Sequence, residues 1–523
     1  MAQGTVALVL HAHLPFVRHP DDPESLEERW LFEAITETYL PLVELLEALE
    51  RDQLTVPFTA SLSPTLLAML TDGLLRARYL RHLDALVQLS EREERRTRAE
   101  PHWHRCAALY LDRLARTRSR LLDHWHHDLV GALRAFQERG RLEIITTAAT
   151  HAVLPLLSAS PPSVRAQIEV GMAEYRRYFG RSSQGFWLPE CAFAPEIEEH
   201  LARSGVRWVV LDTHGLTHAT PQPVFGVYAP LACPSGVAAF GRDPESATQV
   251  WSAEAGYPGD PWYRDFYRDI GFDLPAELLQ PFVAGERRAT GLKYHRVTGD
   301  TPHKEPYDPD RARARVTAHA AHFVESRAAQ VEALGPVMDR PPVIVCPYDA
   351  ELFGHWWFEG PDWLEEVLRR IASTPGLEAA TLSEHLDRHP IVQRARPAPS
   401  TWGWRGHQTL WLSRESQWIY PHLHATSERL VRLCRSSPVE TAPVRRALAQ
   451  ALRELLLAQA SDWAFMMARR TTAAYATSRT VEHLRSCQRL CDAVECGMID
   501  ETALARLEER DNIFPRLDPR VLG

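Results

Sequence analysis

Val6-Ala-Leu-Val-Leu10, followed directly by His11-Ala-His13, is the stretch of this chain that is most informative about its fold. Five consecutive apolar residues are typical of a strand that is buried on both faces, as in parallel sheets covered by helices. Polar residues that begin where such a strand ends lie at the carboxyl edge of the sheet. The stretch therefore predicts an α/β protein with polar side chains at that edge.

Further strands are predicted near residues 56–59, 142–146, 185–188, 206–211 and 342–346, with helical segments between them. Strands that alternate with helices predict a parallel sheet that is closed, or nearly closed, into a barrel. Polar residues follow most of these strands, and we expect them to converge on one face of the barrel with the two histidines. They are Ser61, Ser63, His151, Glu190, Asp212 and Asp349.

Composition divides the rest of the chain. Residues from about 64 to 139 are rich in Leu, Arg and Glu and predict a helical insertion. Residues from about 213 to 306 are rich in Pro, Gly and aromatic residues and predict substrate-facing loops. A Pro/Arg/Ser-rich segment at 394–400 predicts a boundary between a catalytic barrel of residues 1–395 and an α-helical C-terminal domain of residues 396–523.

Bulk properties exclude several classes of function. The 523 residues are 45% hydrophobic and carry a formal net charge of -9, which gives no support for a nucleic-acid partner. No stretch approaches the ~20 apolar residues of a membrane-spanning helix, and the N-terminus lacks the pattern of a signal peptide. Eight cysteines without a C-x-x-C pair indicate neither a disulfide framework nor a zinc ribbon. We therefore expect a cytoplasmic protein without a membrane partner, of unpredicted oligomeric state.

Two carboxylates are candidates for catalysis. Glu190 ends Phe186-Trp-Leu-Pro-Glu190, where its alternative role is to cap a helix after the proline. Asp349 lies in Tyr348-Asp-Ala-Glu-Leu-Phe-Gly-His-Trp-Trp357, where nearby rings would raise its pKa by desolvation. Two carboxylates at the ends of separate barrel strands match the requirement of glycoside hydrolysis. In a retaining enzyme the two groups are about 5–5.5 Å apart.

These motifs, together with His11-Ala-His-Leu-Pro15 and Ala460-Ser-Asp-Trp463, resemble glycoside hydrolase family 57, and within it the 1,4-α-glucan branching enzymes. The resemblance runs through nearly the whole chain, with the motifs in the family's order. Its other carriers are Gln249-Val-Trp-Ser252, Gly256-Tyr-Pro-Gly259, Thr401-Trp402, Trp411-Leu412 and Arg510-Asp-Asn-Ile-Phe-Pro515.

The resemblance implies an incomplete (β/α)7 barrel with a helical insertion, and a helical C-terminal domain that completes the cleft. It implies retaining transfer on α-1,4-glucan that forms α-1,6 branches, with Glu190 as nucleophile, Asp349 as acid/base and no metal or organic cofactor. Trp463 could bind substrate or belong to the core. The candidate substrate-binding residues are His11, His13, His151, Arg242, Trp251, Gly259, His355, Trp402, Trp411 and Asp462.

One departure from the family pattern bears on the reaction. The stretch from His214 to Tyr228 is shorter than the loop of the family's branching enzymes, in which a tyrosine is thought to shield the glycosyl-enzyme from water. Tyr228 is the nearest tyrosine. Because exclusion of water favours transfer, a short loop favours the alternative of a mainly hydrolytic α-glucanase.

Two rival functions remain open at this stage. His11-x-His13, completed by Asp212 or His151, could bind a catalytic zinc ion, which needs three protein ligands and an open position. The protein would then be a metal-dependent deacetylase or α-mannosidase. Alternatively, the fifteen tryptophans could serve a non-catalytic glucan-binding protein.

Overall fold

Nine strands form one curved sheet in the computed structural model, which describes residues 4–252, 255–280, 282–283, 287–391, 393–436 and 441–523. Parts of two predicted regions lie outside these residues: positions 253–254, 281 and 284–286 of the loop region, and positions 437–440 of the C-terminal domain. The strands are β1 (Gly4–Ala12), β2 (Phe58–Leu62), β3 (Leu142–Thr147), β4 (Gly185–Trp187), β5 (Trp208–Leu211), β6 (Leu231–Ala232), β7 (Ala238–Gly241), β8 (Val343–Asp349) and β9 (Leu377–Ala379).

Seven of these strands are parallel neighbours in the order β7-β5-β4-β3-β2-β1-β8. The two outer strands approach each other, because Arg242 just after β7 forms a parallel bridge with Val345 in β8. The amide of Asp243 also donates to the Val345 carbonyl over 2.9 Å. The sheet is thus a barrel joined by a narrow seam, and the predicted incomplete (β/α)7 barrel is confirmed.

Side chains of β1 alternate between two apolar environments. Ala7 and Val9 pack inside the barrel with Trp187 and Trp208, whereas Leu8 and Leu10 pack outward against the surrounding helices. Because both faces are buried, the strand is apolar throughout. Gly185 is required for this packing, since a Cβ there would lie 2.3 Å from the Trp208 indole.

Twenty α-helices occur within the described residues, and a π-helical turn at Ile35–Tyr39 joins the first two. They are α1 (Leu26–Ala34), α2 (Leu40–Arg51), α3 (Pro64–Thr71), α4 (Gly73–Arg96), α5 (Pro101–Ser119), α6 (Leu129–Glu138), α7 (Pro161–Phe179), α8 (Pro195–Arg203), α9 (Thr213–Thr217), α10 (Pro244–Trp251), α11 (Ile270–Asp273), α12 (Ala276–Leu279), α13 (Pro309–Leu334), α14 (Gly360–Ser373), α15 (Leu382–Arg388), α16 (Ile419–Ser436), α17 (Ala442–Ala458), α18 (Ser461–Arg469), α19 (Ala473–Cys496) and α20 (Glu501–Arg510). Within the described residues, no helix has both the length and the apolarity to cross a bilayer.

The C-terminal helices pack onto the carboxyl face of the barrel. Trp463 in α18 is fully buried, and its indole N–H donates to the Leu457 carbonyl over 2.8 Å, so this residue belongs to the core. The same apolar cluster includes Val153 and Ala192, which follow barrel strands. The packing places the first turn of α18 beside the ends of β3 and β4.

The structure differs from the sequence prediction within residues 213–306. This region was expected to form loops, yet it contributes β7, one of the seven parallel barrel strands. The strand Ala238-Ala-Phe-Gly241 is short and consists mainly of small residues, which give little strand signal. The second strand also begins at Phe58, two residues later than predicted.

Candidate active site

A cavity of about 500 Å³ opens at the carboxyl ends of the barrel strands. A larger groove of about 650 Å³ lies between α7 and residues 514–521, and none of the predicted site residues lines it. Ten of the twelve predicted site residues line the first cavity. They are His11, His13, His151, Glu190, Arg242, Trp251, Asp349, Trp402, Trp411 and Asp462.

Glu190 is held in a left-handed backbone conformation three residues after the end of β4. Its φ and ψ are 61° and 23°, and the φ values of Cys191 and His151 are also positive, at 49° and 58°. Such conformations cost about 1–3 kcal/mol each for non-glycine residues and persist where the surroundings impose them. Here the Trp402 amide donates to the Glu190 carbonyl over 3.0 Å. The strained turn aims the carboxyl group into the cavity.

The Glu190 carboxyl group receives hydrogen bonds that favour its ionised form. The Trp402 indole N–H donates to Oε2 over 2.8 Å, and the Ser461 hydroxyl donates to Oε1 over 3.3 Å. Because these are its described partners and α8 begins only at Pro195, the carboxylate is not a helix cap. Burial raises the pKa of Glu190 to about 7, the Trp402 hydrogen bond opposes this rise, and Asp462 adds to it.

Asp349 ends β8 in the surroundings that a proton donor requires. It lies in register with His11 on the neighbouring strand. Burial raises the pKa of Asp349 well above its usual range, and the nearby carboxyl groups of Glu351 and Glu190 raise it further, whereas Arg242 lowers it. Two hydrogen-bond donors stabilise the ionised form of Glu190, whereas two carboxyl neighbours stabilise the protonated form of Asp349, so the two environments differ. That difference suits a nucleophile paired with a general acid.

Glu351 is a site residue that the sequence analysis did not identify. It lines the cavity, and its Oε1 accepts hydrogen bonds from the Tyr39 hydroxyl and, over 3.2 Å, from the His13 amide. Tyr39 is the last residue of the π-helical turn, a distortion that often occurs at functional sites. Glu351 is therefore anchored beside the strand end that carries Asp349.

A chain of hydrogen bonds crosses the cavity floor. His11 Nδ1 lies 3.1 Å from the Ser61 hydroxyl, and its Nε2 lies 2.8 Å from Nε2 of His151. His151 Nδ1 lies 2.8 Å from the hydroxyl of Ser461, which donates to Glu190. Burial lowers the pKa of both histidines, and His13 lowers each further. The chain thus links neutral imidazoles to the Glu190 carboxylate.

Three residues of the cavity could hold a metal ion by distance alone. The ligand atoms of His13, His151 and Asp462 lie within 4.8 Å of one another. However, His13 Nε2 is 3.0 Å from Asp462 Oδ2, and both nitrogens of His151 already have hydrogen-bond partners. The donor set is satisfied internally and fits a metal ion poorly.

Asp212 does not join the histidines. Its Oδ2 accepts from the Arg242 guanidinium over 3.2 Å, and its Oδ1 lies 3.1 Å from His214 Nδ1. The guanidinium carbon of Arg242 lies 5.7 Å from the centre of the Trp402 ring. Asp212 therefore orients Arg242 and is not placed to complete the zinc site considered above.

Two predicted substrate-binding residues lie outside the cavity wall. Gly259 ends a short 3₁₀ turn at Tyr257–Gly259. His355 lies behind Trp356, and its Nδ1 is 2.6 Å from Glu37 Oε2. Tyr228 is also absent from the cavity lining, and its hydroxyl interacts with Gln330 and Asp243.

Other residues of the site escaped the sequence analysis. Ser461 precedes Asp462 in the motif Ala460-Ser-Asp-Trp463, so this motif is the signal that could have identified it. Leu14 and Trp356 also line the cavity and lie within two of the quoted motifs. The remaining lining residues carry no distinctive pattern: Gly403, Trp404, Leu410 and Phe465.

Comparison with known proteins identifies the family to which the chain is similar. The profile described as Glycosyl hydrolase family 57 matches residues 7–395, and that described as 1,4-alpha-glucan branching enzyme, C-terminal, matches residues 422–522. A 1,4-alpha-glucan branching enzyme of Thermococcus kodakarensis is 32% identical over 559 residues, covering 100% of this chain and 78% of the relative.

Solved structures also resemble the whole chain. The alpha-amylase AmyC from Thermotoga maritima is 42% identical with a TM-score of 0.93, and the match covers 99% of both chains. A GH57-type branching enzyme from Pyrococcus horikoshii is 31% identical with a TM-score of 0.89, covering 99% of this chain and 97% of the other.

Proposed function

We infer that this chain, which belongs to glycosyl hydrolase family 57, is a 1,4-α-glucan branching enzyme that acts by a retaining mechanism. The observation that carries the proposal is the pair Glu190 and Asp349, which line one cavity, Glu190 with two hydrogen-bond donors and Asp349 with two carboxyl neighbours. The match of residues 422–522 to the C-terminal profile of branching enzymes supports the type of reaction.

In the first step, the ionised Glu190 attacks C1 of an α-1,4-linked glucose while Asp349 protonates the departing oxygen. The Trp402 indole N–H and the Ser461 hydroxyl stabilise the carboxylate before attack. Asp349, now ionised, then accepts a proton from the 6-hydroxyl of an acceptor sugar. That oxygen attacks C1, releases Glu190 and creates an α-1,6 linkage.

The other cavity residues are proposed to bind the glucan. Trp251 and Trp402 provide aromatic faces for glucose rings, and Arg242, Asp462 and the histidines provide polar atoms for hydroxyl groups. Trp411 is buried in the apolar cluster of the C-terminal helices and supports the cavity wall from behind. Gly259 and His355 contribute indirectly, because neither lines the cavity. The partner is thus a neutral α-glucan, and a cytoplasmic location is part of the proposal because all eight cysteines are free.

Hydrolysis is the second candidate, and one observation favours it. Among the described residues that line the cavity, none is a tyrosine, and Tyr228 is directed toward Gln330 and Asp243. Water would then reach the glycosyl-enzyme more easily and compete with the acceptor. The similarity to the solved structure of the alpha-amylase AmyC also supports hydrolysis as the second candidate.

Proton NMR distinguishes branching from hydrolysis. Amylose is treated with the enzyme, and reducing ends are assayed in parallel. We expect the α-1,6 anomeric signal to grow with few new reducing ends. New reducing ends without that signal would instead establish a hydrolase.

Glu190→Gln and Asp349→Asn should each lower turnover by several orders of magnitude. Near wild-type activity in either variant would refute the roles assigned here, and a Glu190→Gln variant with every functional readout unchanged would favour the non-catalytic rival.

A further inference from the structure

Trp356 lines the cavity but takes no part in the mechanism above. Its side chain is 53% exposed, unlike that of Trp357, which is buried in the core. An exposed aromatic ring at the rim of a ligand cavity is placed to contact the ligand. The question is whether the ring is held in place to receive a ligand.

The Trp356 ring rests on a rigid support. The Phe266 ring stacks on it with the two ring centres 4.4 Å apart and 22° between the planes. The ammonium group of the buried Lys293 lies 4.2 Å from the centre of the Phe266 ring. His355 meets both rings edge-on, at 5.5 Å from Trp356 and 5.4 Å from Phe266. Because Glu37 fixes His355 from below, the exposed face of Trp356 is preorganised.

The backbone fixes the same ring relative to Asp349. The Trp356 amide donates to the Glu351 carbonyl over 3.2 Å. Gly354 has a φ of 110°, and a Cβ at this position would lie 1.7 Å from the Glu37 carbonyl oxygen. Only glycine allows this close approach. The turn from Asp349 to Trp356 is therefore locked against the π-helical turn.

The aromatic surface continues away from the cavity. Tyr267 is 81% exposed, and its ring centre lies 5.2 Å from that of Phe266. Its amide donates to the buried Asp265 over 2.9 Å, and Asp265 is paired with Lys304. The three rings form a strip that begins at the cavity rim and extends outward.

The position of the strip assigns it to one end of the substrate. A general acid lies next to the oxygen that leaves, so residues on its turn face the leaving or acceptor part of the glucan. The nucleophile is bounded on another side by Trp402. We propose that Trp356, supported by Phe266 and continued by Tyr267, is an α-glucan-binding platform for the acceptor side of the cavity. This inference rests on the proposed action on α-glucan.

Transfer at increasing acceptor concentration tests the platform, with the full-length enzyme, a fixed amylose donor and maltopentaose as acceptor. For Trp356→Ala we expect the half-saturating acceptor concentration to rise about 3- to 10-fold, the range that one aromatic contact supplies. The rate of donor cleavage without acceptor should change by a smaller factor. Tyr267→Ala changes an 81% exposed side chain and should raise the half-saturating acceptor concentration by a smaller factor. Trp356→Tyr should bring the half-saturating concentration back close to the wild-type value.

Phe272→Ala is the matched control, because Phe272 is a 54% exposed aromatic residue that does not line the cavity. This control should behave as the wild type. The platform is refuted if acceptor dependence is unchanged in Trp356→Ala and Tyr267→Ala, or if Trp356→Ala lowers donor cleavage and transfer equally. A wild-type enzyme that forms no product from α-glucan would refute the proposed function as well, and this result is distinct from an active wild type with unaffected variants.

Discussion

Replacing Trp402 by phenylalanine tests how the protein keeps its nucleophile ionised. The substitution retains an aromatic ring but removes the N–H that donates to Glu190 Oε2 over 2.8 Å. A hydrogen bond to a charged group contributes about 1.5–3 kcal/mol, and one pKa unit corresponds to about 1.36 kcal/mol. The loss should therefore raise the pKa of Glu190 by about 1–2 units above its value of about 7.

The expected result follows from the direction of this change. The wild-type carboxyl group is about half ionised at pH 7, and in Trp402→Phe the ionised fraction falls to about 1–10%. The value of kcat/KM at pH 7 should fall about 5- to 50-fold, and the deficit should shrink as pH rises. The assay is the pH dependence of kcat/KM, whose acidic limb should move upward by about 1–2 units.

Trp251→Phe serves as the comparison, because Trp251 lines the same cavity and its ring lies 6.1 Å from that of Trp402. Its acidic limb should coincide with that of the wild type. If Trp402→Phe loses activity by the same factor at every pH, the indole N–H does not control ionisation and Trp402 acts through substrate contact alone.

Three further predictions concern the surroundings of the site. Glu351→Gln removes a negative neighbour that raises the pKa of Asp349, so the basic limb of the kcat/KM profile should move to lower pH; an unmoved limb would contradict this assignment. Glu37→Gln removes the partner of His355 and should lower Tm by about 2–5 °C, as measured by scanning fluorimetry. Burial would raise the pKa of Glu37, but His355 lowers it from 4.5 to about 2, and Glu37 raises the pKa of His355 above 6.5 despite burial. The ion pair of Glu37 and His355 therefore stabilises the folded protein most between about pH 4.5 and 6.5, and its contribution decreases as pH falls toward 2 or rises through the pKa of His355. A Tm difference between Glu37→Gln and the wild type that does not depend on pH would contradict this role. Finally, treatment with EDTA should leave activity unchanged and elemental analysis should find no stoichiometric zinc, whereas loss of activity restored by zinc would revive the metal-dependent rival.

The sequence predicts the barrel well where both faces of a strand are buried. Val6–Leu10 lies between barrel interior and helices, so its composition reflects its position directly. The strand Ala238–Gly241 could not be recognised, because small residues in a Pro- and Gly-rich region give no periodic signal. Its place in the sheet depends on pairing with β5, which is a long-range contact.

The residues of the site also differ in how far the sequence identifies them. Glu190, Asp349 and Asp462 lie in recognisable motifs, and the structure places all three around one cavity. Tyr39 lies in a segment whose sequence predicts only a helix. The π-helical turn, which the sequence does not predict, brings its hydroxyl to Glu351. His355 was assigned to the substrate from its neighbours in the chain, whereas its ring supports Trp356.

The contribution of α18 to the cavity also has a consequence for when the protein becomes active during its synthesis. Ser461 and Asp462 are made about 110 residues after Asp349, which at about 5–20 residues per second takes about 6–22 s. Until then a nascent chain has a complete barrel strand order, but Glu190 lacks its serine donor and His13 lacks its carboxylate partner. We therefore expect the ribosome-bound barrel to be inactive toward polysaccharide until α18 has emerged and docked.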